Sequence, residues 1–467
     1  MTHHIGDEDV LGASGTGPAA DAVEPGGRTR FTRGRDVLVV AFIAVVALVA
    51  GILVWNSSDN RATTSRTYAG AAPSPEAPTA FPPSLGESWR AKSPATPAPV
   101  TVGPAVVTGD GGEVAGRDPV SGRIRWRYSR DLPLCTLAGA WSMAVAVYEK
   151  SDNLLPSGDQ RKAGGCSEVT ALDPATGKRG KQPQAGEERT KPDGGQRNSD
   201  AERGTRLLFD GSYVTTTGER LLTTWRSDLV QTMEYGQVPA LVNPDKQPRT
   251  GCEYHTMAVV QSRIAVVEDC PDDEGDRLTV YRATGNNDSE KPEVVASVAV
   301  SNGTRVVAMT DQCRLNPDDA EDVQQCTAIV EPSPARLLVL DEKGEQVGSY
   351  PLSLGPGDLD EEPADHVVPA THTPVAVYWY TGSRTIALSA ADLSPLWTVD
   401  GALGPGTMFA GRMLVPVRDG LRVLKPANGE PVGTLPVNRD GYTGPVAMSA
   451  LGQMVYEQRG DTLVAMR

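Results

Sequence analysis

The side chains best suited to chemistry in this 467-residue chain are carboxylates in three tight groups: DDEGD over 272–276, DDAED over 318–322 and DLDEE over 358–362. Oxygen-rich loops of this kind are what calcium prefers. Their spacing matches no EF-hand loop, and acidic loops that project into water are commonly acidic for solubility alone. They are therefore expected to be solvated. His366 and His372 fall near the third group, and His255 is the one other histidine after residue 56. Four ligands of defined geometry cannot be assembled from these residues. The chain has no G-x-S-x-G elbow, no H-E-x-x-H and no phosphate loop. No catalytic residue, metal ligand or cofactor site is assigned. Tyr378, Trp379 and Tyr380 form an aromatic run. It suits core packing of a sheet on alternate positions with one ring outside, and otherwise a rim that contacts a partner.

The positions of the cysteines indicate a compartment. Cys135, Cys166, Cys252, Cys270, Cys313 and Cys326 all follow the apolar segment described next, and none precedes it. An even number confined to one side of a membrane segment suggests disulfides in an oxidising compartment. Fifteen connectivities are possible for six cysteines. Zinc is a poor alternative without a C-x-x-C pair. The net charge of −15 excludes nucleic acid as a partner and a broad grip on anionic lipid, both of which need clustered Lys and Arg.

Val37–Trp55 reads VLVVAFIAVVALVAGILVW and carries no charge. At about 1.5 Å rise per residue, a helix of this length spans a bilayer core. Arg28, Arg30, Arg33 and Arg35 precede it, whereas NSSDN follows it. The positive-inside rule then places residues 1–36 in the cytoplasm and everything after the segment outside. The apolar core is long for a cleaved signal peptide, so it is expected to be a retained, single-pass signal anchor in the cell membrane. Residues 1–36 form a cytoplasmic segment of disordered composition. Residues 56–84 are rich in Pro, Ala and Ser, and are expected to form an extended spacer able to lift the next domain by up to roughly 80 Å.

Beyond this, the sequence repeats. EVAGRDPVSGRIRWRY has an alternating strand, a turn with Asp118 and Gly122, and a second strand bearing Trp126. EVTALDPATGKRGKQ places Asp173 and Gly177 alike, and RTIALSAADLSPLWTV sets Trp397 where Trp126 stood. Further hairpins begin near residues 220, 277, 335 and 421, most of them preceded by another β-rich pair. Four antiparallel strands repeated in this way make propeller blades. The chain stops after the third strand of its last unit, and SLGESWRAKS at 84–93 is an orphan strand with Trp89. The orphan would complete the last blade and close the ring, removing the exposed edges. The expectation is an all-β closed propeller over 85–467 with eight four-stranded blades, or seven, because the third unit is loosely written. The cysteines then fall in pairs within the second, fourth and fifth blades, which favours sequential pairing. Trp89, Trp126 and Trp397 are read as blade–blade packing.

At these residues the sequence resembles the pyrroloquinoline-quinone-like β-propeller repeat, A-x-D-x-x-T-G-x-x-x-W. Residues 171–178 match its first part, and Asp118, Gly122 and Trp126 match it more loosely. The resemblance implies one of two kinds of protein. Quinone-dependent dehydrogenases hold the quinone in the central funnel between a Trp and a disulfide of neighbouring cysteines, with calcium beside it. Scaffolds of the BamB type bind no cofactor. Here no two cysteines are adjacent and the chain is short for the dehydrogenases. The anchor, linker and exported propeller also look like an actinobacterial family of membrane-anchored propellers. The resemblance thus implies a non-enzymatic scaffold with an envelope or membrane protein as partner, in envelope assembly or secretion. A small-ligand receptor using the central funnel is the alternative, and a quinone-dependent dehydrogenase the third.

Overall fold

Strands such as MAVAVYE (Met143–Glu149), RIAVVED (Arg263–Asp269) and MVYEQR (Met454–Arg459) are buried nearly from end to end, whereas Pro431–Pro436 is mostly exposed. A strand buried on both faces reads as a continuous apolar run, and one covered on a single side does not. That difference separates the inner strands of a blade from its rim. A computed structural model describes residues 34–56, 62–72, 74–78, 80–149, 165–180, 194–196, 199–237, 247, 249–284, 292–315 and 323–467. The acidic group at 318–322 and residues 1–33 lie outside these.

Among the described residues there are eight sheets in chain order, so the count is eight and not seven. Their first strands are Val100–Val102, Leu134–Ala140, Leu208–Phe209, Glu253–Val260, Arg305–Cys313, Ala370–His372, Thr407–Phe409 and Val446–Leu451. First strands contact each other between blades 1 and 2, 3 and 4, 4 and 5, 7 and 8, and 8 and 1, so they lie toward the centre. The eighth blade is completed by Glu87–Lys92, which pairs antiparallel with Thr462–Met466, placing Trp89 opposite Ala465 and Lys92 opposite Thr462. Two backbone hydrogen bonds of 2.9 Å between Gly86 and Arg467 continue the seam. The ring is therefore closed by strands from opposite ends of the propeller sequence.

The third blade is loosely written because threonine stands where aliphatics stand elsewhere. Tyr213–Thr217 and Leu221–Arg226 bury Thr215, Thr216, Thr217, Thr223 and Thr224, with Thr215 and Thr224 hydroxyls 3.1 Å apart. β-Branched side chains fit a pleated surface whether or not they are hydrophobic.

Three tryptophans join neighbouring blades in one way. Trp126 of blade 1 lies flat on Gly177 in the last turn of blade 2, and its Nε1 donates to Pro174 O at 2.8 Å. Trp89 sits likewise on Gly122, donating to Pro119 O at 3.0 Å, and Trp397 on Gly429, donating to Pro426 O at 3.1 Å. Gly122, Gly177 and Gly429 have φ of 69°, 72° and 68°. A Cβ at Gly177 would stand 2.6 Å from the Trp126 ring, so both backbone and contact require glycine. The preceding aspartates shape these turns. Asp173 Oδ1 accepts from the Ala175 and Thr176 amides and the Thr176 hydroxyl, and Asp118 Oδ1 does the same for Val120 and Ser121.

The disulfides are Cys135–Cys166, Cys252–Cys270 and Cys313–Cys326, one each in blades 2, 4 and 5. Tyr378 and Trp379 are fully buried on opposite faces of the second strand of blade 6, and Tyr380 packs beside Tyr378. Tyr378 and Trp379 are both inside because a second strand is covered by a blade on each side, and Tyr380 at the strand's end is half-buried.

The segment read as an extended spacer behaves differently where it is described. Thr63–Arg66 pairs antiparallel with the rim strand Ile124–Arg130 and makes blade 1 five-stranded. Tyr68 then donates its amide to Thr176 O at 2.9 Å, Arg125 lies 4.2 Å over the Tyr68 ring, and Phe81 meets Phe409 edge-on. An extended Pro-rich chain has free backbone groups, and an open sheet edge offers partners for them. Separately, Gly34–Asn56 is a single helix whose Val37–Val54 stretch is long and apolar enough to cross a membrane.

Candidate functional site at the mouth of the central opening

In an antiparallel blade, turns between strands one and two and between three and four lie on one face. The two-to-three turns and the links between blades lie on the other. On this second face the link from blade 5 to blade 6, residues 352–369, crosses the inner ends of four blades. Asp365 bonds Arg206, at the entry to blade 3, at 2.8 Å. Glu362 pairs with His255 Nδ1 of blade 4 at 3.0 Å. The Leu359 carbonyl accepts from Arg305 of blade 5 at 2.6 Å. Asp358 Oδ1 takes the Thr381 hydroxyl and the Ser383 amide of blade 6, both at 2.8 Å, while Oδ2 takes the Gly355 amide at 2.7 Å. Asp358 is buried, so these bonds replace the water it has lost.

The first strand of blade 4 is irregular where it meets this link. Its register slips between Tyr254 and Met257, so His255 and Thr256 form a bulge. Bulges re-aim side chains. Here the Thr256 hydroxyl accepts the Val306 amide of blade 5 at 2.8 Å, and His255 turns toward Glu362 of the link. His366, at φ 58°, closes the contact: its carbonyl accepts the Met257 amide at 2.8 Å and its Nδ1 lies 2.7 Å from His255 O. Cys252–Cys270 ties the strand ends that carry His255 and Asp269.

His255 faces carboxylates on several sides. Its Nε2 lies 4.0 Å from Asp276 Oδ1. The hydrogen bond to Glu362, followed by the charges of Glu362, Asp276 and Asp269, raises the imidazole pKa against the opposing effect of burial. Burial pushes Glu362 up, but His255, His366 and Arg305 outweigh it and hold the carboxyl below its usual range. The fold thus joins Asp276 of the first acidic group, Glu362 of the third and His255, which the sequence separates widely. His372 is exposed at the far end of its strand, on the opposite face. The tryptophans and turn aspartates noted above lie away from this mouth, in joints between blades. No spacing in the sequence signals the bulge or the convergence.

On the same face a cavity of about 510 Å³ opens between blades 1 and 2, lined by Ala95, Gly112, Arg130, Asp131, Cys135 and Arg203 among others. Arg130 is buried there, paired with Glu168 at 3.1 Å and set against the Tyr148 ring.

No family model and no curated protein sequence matches the chain. Solved structures do resemble it. BamB from Moraxella catarrhalis shares 14% identity over 82% of this chain and 99% of its own, with a TM-score of 0.45. Quinohemoprotein alcohol dehydrogenase from Comamonas testosteroni shares 11% over 82% and 76%, with a TM-score of 0.46. Sqt1 from Saccharomyces cerevisiae shares 10% over 82% and 97%, with a TM-score of 0.45. The likeness is one of fold, and the architecture itself rests on the strand register: the chain is an eight-bladed, ring-closed β-propeller whose sequence also includes one helix able to cross a membrane.

Proposed function

We propose that the protein is a membrane-anchored, non-enzymatic scaffold whose propeller binds another envelope protein. On this reading the helix is a retained single-pass anchor with residues 1–36 cytoplasmic and the propeller extracytoplasmic, and no cofactor takes part. The observation that carries it is the 352–369 link, held by charged and hydrogen-bonded ties to four consecutive blades, 3 to 6, on one face of the ring. A face so occupied by its own chain is a poor entrance for a quinone or a sugar. A rigid disc with loops on two faces remains a good platform, and tethering concentrates it near membrane-bound partners. One fold hosts many functions, so the site and not the fold must decide.

The test is crosslinking in intact cells followed by purification of the tagged full-length protein and mass spectrometry. A reproducible, near-stoichiometric envelope protein is expected, and recovery of the bait alone would sink the scaffold reading. The cavity between blades 1 and 2 favours a second reading, a small-ligand receptor, since its volume falls in the usual ligand range and two arginines line it. That reading requires a ligand that raises the melting temperature of the purified protein.

A further inference from the structure

We propose that His255, Asp269 and Asp276 of blade 4 form a binding site for a divalent transition metal of the zinc or manganese class, with Glu362 of the 352–369 link as the outer carboxylate that orients the imidazole. One imidazole nitrogen and one carboxylate oxygen from each aspartate lie within 4.8 Å of one another. A ligand histidine characteristically donates from its second ring nitrogen to a carboxylate, which fixes the tautomer and the ring plane. Glu362 is placed to accept here: both its oxygens lie within 3.1 Å of His255 Nδ1. Ionised Glu362 accepts the Nδ1 proton, so in the neutral ring the Nε2 lone pair is the one turned toward Asp276. The separation of 4.0 Å between Nε2 and Asp276 Oδ1 is beyond hydrogen-bond reach. Asp276 is more than nine-tenths buried, commits Oδ2 to the Gly303 amide at 2.7 Å and aims Oδ1 at the imidazole.

Charge points the same way. Three carboxylates (Asp269, Asp276 and Glu362) converge with Arg305 as the neighbouring permanent cation. The carboxylates outnumber that cation, and a divalent ion offsets the excess. An imidazole with two carboxylates suits zinc or manganese better than calcium, which takes oxygen donors alone. The site joins two stretches of chain that the sequence separates, since the three ligands belong to blade 4 and the orienting carboxylate to the link. Metal occupancy therefore stiffens the link against blade 4.

The test uses EDTA-stripped full-length protein in detergent without a polyhistidine tag, titrated calorimetrically with Zn²⁺, Mn²⁺ and Ca²⁺. One equivalent of Zn²⁺ or Mn²⁺ is expected to bind at this site, absent in H255A and D276N. E362Q should bind about 10–100-fold more weakly, as loss of an outer partner does. The N-terminal His3 and His4 are common to all variants. Equal uptake by wild type and H255A therefore overturns the proposal, as does no uptake by wild type. If H255A fails to unfold cooperatively, wild-type protein loaded with Co²⁺ decides. Visible d–d bands with a nitrogen donor, together with slower cleavage after Glu361 by a glutamate-specific protease, support the site. Failure to take up Co²⁺ overturns it. None of these readouts depends on whether a protein partner exists.

Discussion

Replacing Gly177 by alanine tests the joint between blades 1 and 2 in a way that separates its two causes. The first is backbone conformation: φ is 72°, and an L-residue held in the left-handed region costs roughly 1–2 kcal/mol. The second is contact: the new Cβ would stand 2.6 Å from the Trp126 ring, which is 1% exposed and cannot move aside freely. Overpacking of this kind costs about 1–3 kcal/mol, so G177A should lose ~2–5 kcal/mol in all. Gly111 supplies the control. Its φ is 61° and an added methyl would meet nothing within 4 Å, so G111A should cost only the ~1–2 kcal/mol of the backbone. W126A alone should lose ~3–5 kcal/mol. In the double variant the contact cost vanishes, leaving a coupling of about 1–3 kcal/mol between the two sites. Urea unfolding followed by far-UV circular dichroism measures all four corners. Strict additivity of G177A and W126A, or a G111A as damaging as G177A, would refute the reasoning.

Four other outcomes are expected. C313S/C326S opens a loop with a sequence separation of 13 and should lose about 3 kcal/mol, read from the same urea curves. D358A removes the acceptor for Thr381, Ser383 and Gly355, and should expose the 352–369 link to limited proteolysis while the cooperative unfolding of the blades is retained. Deleting Thr63–Arg66 bares the edge of Ile124–Arg130, and sedimentation should show concentration-dependent self-association. Burial raises the Asp118 carboxyl, but the Ser121 amide and hydroxyl and the Val120 amide outweigh it and hold its pKa below the usual value. A lowered folded pKa means the contribution is present at neutral pH and is lost as pH falls through that lowered value. The stability gap between wild type and D118A, about 1 kcal/mol at pH 7, should therefore close under acid.

The propeller is legible because each blade repeats a turn chemistry with few solutions. Asp-Pro followed by glycine at Gly122 and Gly177 marks the last turn, and the orphan strand bearing Trp89 marks the closure. Gly429 carries no such flag as the seat of Trp397, because its turn lacks the aspartate found in the other two. The cluster at the mouth of the opening is not legible. Its members come from a bulge in one blade and from the link that follows the next blade, and a one-residue slip in register leaves no compositional trace. Nor does composition reveal that Thr63–Arg66 takes up a sheet edge, since Thr-Thr-Ser-Arg suits a spacer as well as a strand.

The seam between Glu87–Lys92 and Thr462–Met466 also has a temporal meaning. A ring joined this way cannot shut until residues 462–466 have been made and delivered, so the earliest strand of the propeller must wait unpaired through seven blades of synthesis. Contacts between such distant positions form late and slowly. During that interval Glu87–Lys92 and the face of blade 1 around Val106, which blade 8 later covers, are open to rival strands, which makes completion of the final hairpin the step that ends the protein's exposure to misassembly.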